Sequence, residues 1–134
     1  MATLNDEPVR ELLAAPNYAV VSTHNSDGSI LSTVVWADTE DGTLAINSAI
    51  GRRWPTNLQR DPQATVLIYE SGNPYNYVEV RGRTRAIEGE EADEHINRLT
   101  KKYINQDEYP FRQPGERRIK FLLEPEHVRH MRQG

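Results

Sequence analysis

Turn signals recur so often along this chain that most stretches between them are long enough for a strand and too short for a helix. Asn25-Ser26-Asp27-Gly28, Glu40-Asp41-Gly42 and Ser71-Gly72-Asn73-Pro74 each combine residues that supply or tolerate turn conformations. They separate β-type runs at residues 18–23, 30–36, 43–47, 64–70 and 75–87, and a sixth run follows at 117–124. Runs this close in sequence, joined by tight turns, pair antiparallel. In the fifth run Tyr77, Glu79, Arg81 and Arg83 fall on one face, with Val78, Val80 and Gly82 on the other. Gly82 marks a bulge or a close backbone approach. In the sixth, Ile119, Phe121 and Leu123 face one way.

Three segments read as helices. Residues 8–15 follow the capping residues Asn5 and Asp6 and place Val9, Leu12 and Leu13 on one face, and Pro16 stops them. Residues 51–60 carry Pro55 in a first turn and end before Asp61-Pro62. Residues 90–104 are the clearest, with Ala92, Ile96, Leu99 and Tyr103 in one apolar stripe and His95 expected on the exposed side. A loop is expected at 105–116 and a loosely held tail at 125–134. The fold class is mainly β: a six-stranded antiparallel barrel with flanking helices rather than a doubly wound sheet.

Size and composition narrow the function. A chain of 134 residues suits one domain, 1–134, and leaves enough surface unburied that a subunit interface is a natural way to cover more. The formal net charge of −4 argues against nucleic-acid binding, which needs a net basic face, while leaving room for a local basic pocket. With no cysteine, disulfides, thiol nucleophiles and zinc–thiolate sites are excluded. His127 and His130 lack acidic or thiol ligands nearby, so no metal site is expected. No Gly-rich dinucleotide fingerprint is present. The polar start, Met1 to Glu7, is unlike a signal peptide, and no apolar run approaches the roughly 20 residues that cross a bilayer. A cytoplasmic, soluble protein without a membrane partner is expected.

The chemistry concentrates at Ser48-Ala49-Ile50-Gly51-Arg52-Arg53-Trp54-Pro55-Thr56-Asn57, where a strand runs into a short helix. Arg52 and Arg53 precede the helix, where free N–H groups and the helix dipole favour anions. Guanidinium groups add planar contacts to phosphate, and Ser48 offers a hydroxyl. The same arginines also suit a solvated surface pairing with Asp61 and other acids.

The ordered set resembles the pyridoxamine-phosphate-oxidase-like split β-barrel superfamily. It comprises the turn at Asp27-Gly28, a strand ending Val34-Val35-Trp36, a strand ending Asn47-Ser48, Gly51-Arg52-Arg53, and Asn57-Leu58-Gln59-Arg60-Asp61-Pro62. Asn73-Pro74-Tyr75-Asn76-Tyr77, Lys102-Tyr103, Tyr109-Pro110-Phe111 and Pro114-Gly115-Glu116 are similar to its F420-dependent oxidoreductase branch, the flavin/deazaflavin oxidoreductase B group.

The resemblance implies an FMN-binding split-barrel type of fold, a homodimer with cofactor sites between subunits, and coenzyme F420 as cofactor. Carried over by position, Val34, Val35 and Trp36 would lie along the deazaflavin ring. Ser48, Arg52 and Arg53 would meet the ribityl-phosphate end, and Asn57 would stand at the start of the contact helix. Tyr75 and Tyr77 would approach the ring or substrate from the partner subunit, as candidate proton donors beside solvent. The implied activity is hydride transfer from reduced F420 to an electron-poor organic acceptor: an activated C=C, a quinone or a tetrapyrrole. Trp54 and Thr56 stand where many relatives have Lys and Arg. That departure keeps open flavin mononucleotide (FMN), or a non-catalytic protein that carries a cofactor or haem. Trp36 itself suits either stacking on a ring or packing in the core. Glu79, Arg81 and Arg83 read as a solvent-facing ladder, or Arg81 as a contact to ligand carboxylates.

Overall fold

The structure, a computed structural model, describes residues 2–133. The elements in chain order are α1 (Glu7–Ala14), β1 (Ala19–His24), β2 (Ile30–Val35), β3 (Ala37–Glu40), β4 (Thr43–Ala49), α2 (Arg53–Arg60), β5 (Gln63–Glu70), β6 (Asn73–Glu88), α3 (Glu90–Ile104) and β7 (Arg118–Arg132). All seven strands belong to one antiparallel sheet in the order β2-β1-β5-β6-β7-β4-β3.

The expected count of six strands is corrected to seven, in a sheet that hydrogen bonds do not close. The reason lies at Trp36. Val35 is the last residue of β2 to pair with β1, opposite Ala19, and Ala37 is already paired with Ile46 of β4. One residue thus separates the two edge strands. The sheet bends round until its edges are consecutive in the chain, and the seam stays split at Trp36.

Alternation drives the rest. Val21, Val66, Ile68, Val78, Val80, Leu44, Ile46, Phe121 and Leu123 point inward and are essentially inaccessible. Val9, Leu12 and Leu13 of α1 and Trp54 and Leu58 of α2 join that same core. On α3, Ala92, Ile96 and Leu99 are buried as the stripe predicts. His95 is not exposed: it is completely buried. It lies three residues after Ala92 and four before Leu99, which puts it inside the packed face.

Residues 125–132, expected as a loose tail, are the second half of β7. They pair with β6 as far as Asn76 opposite Arg132, and Val128 is buried opposite Val80. Pro125 does not stop the strand because a register shift falls there, between Arg81 and Gly82, with Gly82 opposite Pro125. At this point the backbones approach so closely that a Cβ on Gly82 would lie 1.9 Å from the Glu124 carbonyl oxygen. Gly82→Ala is therefore expected to destabilise the protein by roughly 1–3 kcal/mol or more, the range of an overpacked core. The urea midpoint checks this, with Ala86→Gly, at an exposed β6 position, as a comparison costing about 1 kcal/mol or less.

Candidate functional site

A cavity of about 530 Å³ opens at the split seam, a size that accepts a small organic ligand. Its apolar wall comes from β2, through Leu31, Val34 and Val35, and from Trp36 just after it, with Tyr18 beside them. Its polar wall comes from Asn47 and Ser48 at the end of β4, Arg52 and Arg53 leading into α2, and Arg118 at the start of β7. Ile96 and Leu99 of α3, with Trp54, Tyr109 and Phe111, complete it.

Trp36 belongs to neither of its two sequence readings alone. Half-buried, its indole lies against the Tyr103 ring, 5.2 Å between centroids and 6° between planes, and its other surroundings include the cavity. Tyr103 is fixed in turn. Its hydroxyl donates to the Asn17 carbonyl and accepts the Ala37 N–H at 3.2 Å. Burial pushes its phenol up to about 12. Beside it, Lys102 donates to the Leu13 and Ala37 carbonyls, both at 2.6 Å. Burial brings its amine down to about 8.

The polar wall holds three guanidinium groups. Arg52 and Arg53 are exposed at the rim and face the cavity rather than bulk solvent alone. Arg52 reaches Glu116 at 3.4 Å, whereas Asp61, the partner considered from sequence, lies 3.5 Å from His24. Arg118 is buried. It donates from Nε to Asn47 Oδ1 at 3.0 Å and from Nη1 to Glu116 Oε2 at 3.1 Å, and its guanidinium covers the Tyr109 ring at 4.8 Å. Among the described residues no carboxylate lines the cavity, and Glu116 is shared by two of the arginines. Two positive charges remain in excess, in a chain of net charge −4.

Behind this wall a buried relay runs to the surface. Asn47 Nδ2 donates to the Ala92 carbonyl at 3.0 Å and to His95 Nδ1 at 3.1 Å. His95 Nε2 meets Asp38 Oδ1 at 2.8 Å, and Arg98 clamps the other Asp38 oxygen at 2.7 Å. Burial lowers the His95 pKa, against the raising effect of Asp38. Burial alone would raise the Asp38 pKa, but hydrogen bonds from His95 and Arg98 outweigh it and hold the carboxyl below 3.8.

Of the residues expected at the site, Val34, Val35, Trp36, Ser48, Arg52 and Arg53 meet around this one cavity. Asn57 does not line it. It lies one turn into α2, buried, donating to Thr23 Oγ1 at 3.1 Å and Asn25 Oδ1 at 2.9 Å, so it ties α2 to β1 and the following turn. Tyr75 and Tyr77 are also elsewhere, on β6. Arg81 pairs weakly with Glu79 at 4.0 Å, and Arg129 lies over the Tyr77 ring.

A family model described as pyridoxamine 5'-phosphate oxidase matches residues 6–132. The chain belongs to the pyridoxamine 5'-phosphate oxidase family. No curated protein matches it. Among solved structures, an F420 reductase superposes with a TM-score of 0.78 at 21% identity, covering 90% of this chain and 94% of its own. A conserved hypothetical protein from Mycobacterium tuberculosis gives 0.78 at 17% identity, covering 95% and 84%. A heme binding protein from Mycobacterium smegmatis gives 0.67 at 20% identity, covering 93% of this chain and 52% of its own. At these identities the likeness is one of fold. The pyridoxamine 5'-phosphate oxidase family includes oxidoreductases, and its fold binds flavin-type cofactors.

The buried relay gives this family member a defined acid response. Folding disfavours protonated His95, so the unfolded chain binds that proton first; stability is full above pH 6.5 and is lost as the pH falls below it. The depressed Asp38 pKa acts in the same sense, its contribution present above 3.8 and lost on further acidification. The unfolding midpoint is expected to decline from about pH 6.5 downward. His95→Gln, less stable at neutral pH, is expected to show a shallower decline between about pH 6.5 and 5, by urea titration across that range.

Proposed function

We propose that the protein is an F420-dependent oxidoreductase acting as a homodimer. One observation carries this reading: the same cavity joins an aliphatic and aromatic wall to a cluster of guanidinium groups. That donor set fits a tricyclic ring bearing a ribityl-phosphate arm. Leu31, Val34, Val35 and Trp36 would hold the ring, and Ser48, Arg52 and Arg53 its phosphate. When bound, the reduced deazaflavin supplies a hydride for an electron-poor organic acceptor. The protein's own task is then to fix the ring against the strand, to exclude water with Tyr109 and Phe111, and to orient the acceptor. FMN fits the same donor set; the likeness to an F420 reductase and the branch resemblance favour F420.

Self-association is supported by the outer face of the sheet. Cross-strand register sets Val34 beside Val20 and Val20 beside Leu67, then Tyr69 beside Tyr77 and Tyr77 beside Met131. All six point away from the core, and Val34 is 65% and Met131 39% exposed. An apolar band across five strands is unusual on a monomer. Val34 belongs to both the band and the cavity, so a second copy seated on the band borders the site. Tyr75 and Tyr77 would enter a cavity from that direction, in the partner.

The deciding experiment is a paired titration with coenzyme F420 and FMN, followed by fluorescence. Quenching of F420 at micromolar protein is expected, with at least a tenfold loss of affinity in the Arg52→Ala, Arg53→Ala double variant. Tighter binding of FMN moves the assignment to an FMN enzyme, and the absence of binding of either removes the reading. Leu67→Arg is expected to convert a dimer of about twice 15.3 kDa into a monomer by light scattering.

A further inference from the structure

Arg118 is a buried cation with one edge left over. Its side chain is 2% exposed, yet it lines the cavity. Nε and Nη1 are bonded, and Nη2 donates to no protein atom among the described residues. His24 Nδ1 is the one fully buried side-chain polar atom without a partner among the described residues, so Nη2 is open to the cavity rather than sealed in the core, and an anionic oxygen in the cavity can replace water at it with a charge-assisted bond.

The orientation of that edge is set in sequence by three neighbours. The Ala92 carbonyl can only accept, so it fixes which side of the Asn47 amide carries Nδ2. The second Nδ2 hydrogen then requires His95 Nδ1 to accept, which puts the imidazole proton on Nε2, facing Asp38. Asn47 Oδ1 is left to accept from Arg118 Nε. Tyr109, whose own N–H donates to Asn97 at 2.9 Å, covers the guanidinium face.

We infer that Arg118 is a ligand-binding residue that donates to an anionic oxygen of the cavity's occupant, with Asn47, His95 and Asp38 as positioning residues that aim it. The identity of that occupant as a phosphorylated deazaflavin rests on the function proposed above; the anion site itself does not. It makes a three-arginine site in which Arg52 and Arg53 are exposed at the rim and Arg118 is held inside.

The test uses the full-length protein with two probes, inorganic pyrophosphate and coenzyme F420, and reads both affinity and the arginine Nε–H resonances. The Arg118 resonance, identified by its loss in Arg118→Lys, is expected to shift on adding either probe. Arg118→Met is expected to lower affinity at least tenfold. Arg118→Lys, which keeps charge but loses the fork, is expected to lower it severalfold. Asn47→Leu is expected to weaken binding as well, and to add nothing in combination with Arg118→Met, because it acts through the same group. Should Arg118→Met fold poorly, the wild-type resonance and Arg118→Lys decide. Unchanged affinity in Arg118→Lys and Arg118→Met, or a static Arg118 resonance in a protein that binds a probe, overturns the inference. Pyrophosphate binding that depends on Arg118 without any F420 binding upholds the anion site and removes the cofactor reading. Binding of neither probe removes both.

Discussion

Both edges of the sheet are made by one uninterrupted stretch of chain, and the fold depends on how that stretch breaks at Trp36. A ladder cannot continue through a residue whose neighbours pair with different strands, so the seam must be held by side chains. The last turn of α3 does this. Tyr103 stacks on Trp36 and bonds to Asn17 and Ala37, while Lys102 grips the Leu13 and Ala37 carbonyls. Lys102 thus also serves an orphan carbonyl in the last turn of α1. The cavity is a consequence of this geometry: where the sheet cannot close, backbone and apolar side chains are left facing a gap.

The gap acquires its chemistry from the strands that meet beside it. β4 leaves the sheet at Ala49 opposite Arg118, the first residue of β7. Asn47, Ser48, Arg52 and Arg118 are brought together by that crossing. Glu116 lies between Arg52 and Arg118 and moderates their repulsion without neutralising the site. On the far side of the relay, Glu40 is bonded to both Arg98 and the buried Lys120, each at 3.0 Å. Apart from the Arg118 Nη2 edge that faces the cavity, the buried polar groups under α3 therefore form a continuous set of bonded donors and acceptors, the condition under which polar groups give a unique arrangement rather than a weak core.

Periodicity made the strands legible because alternation reports which side chains share a face. It does not report what covers the other face. Ile119, Phe121 and Leu123 are assignable to one side of β7, and alternation alone places Arg118 and Lys120 on the other. In the fold α3 lies over that side and buries both. The same gap hid Asn47, which reads as an ordinary strand end. His95 carries a usable signal in its spacing from Ala92 and Leu99, two members of the stripe, but a polar residue beside an apolar stripe is assigned to the exposed side. Pro125 looked like a terminator because the compensating bulge sits on another strand, more than forty positions earlier, at Gly82. Local chemistry located Arg52, Arg53 and Ser48; the long-range partners that complete the site needed the topology.

In the proposed dimer, association and ligand binding would be coupled through the position of Val34. It stands at once on the outer apolar band and at the cavity wall. In the proposed dimer the second copy covers this residue, deepens the slot and removes water from around the guanidinium groups, which strengthens each of their contacts to an anion. Whatever free energy dimerisation lends to ligand binding, the ligand returns to dimerisation, since the two equilibria share one cycle. In that dimer the remaining wall of the cavity would belong to the other subunit.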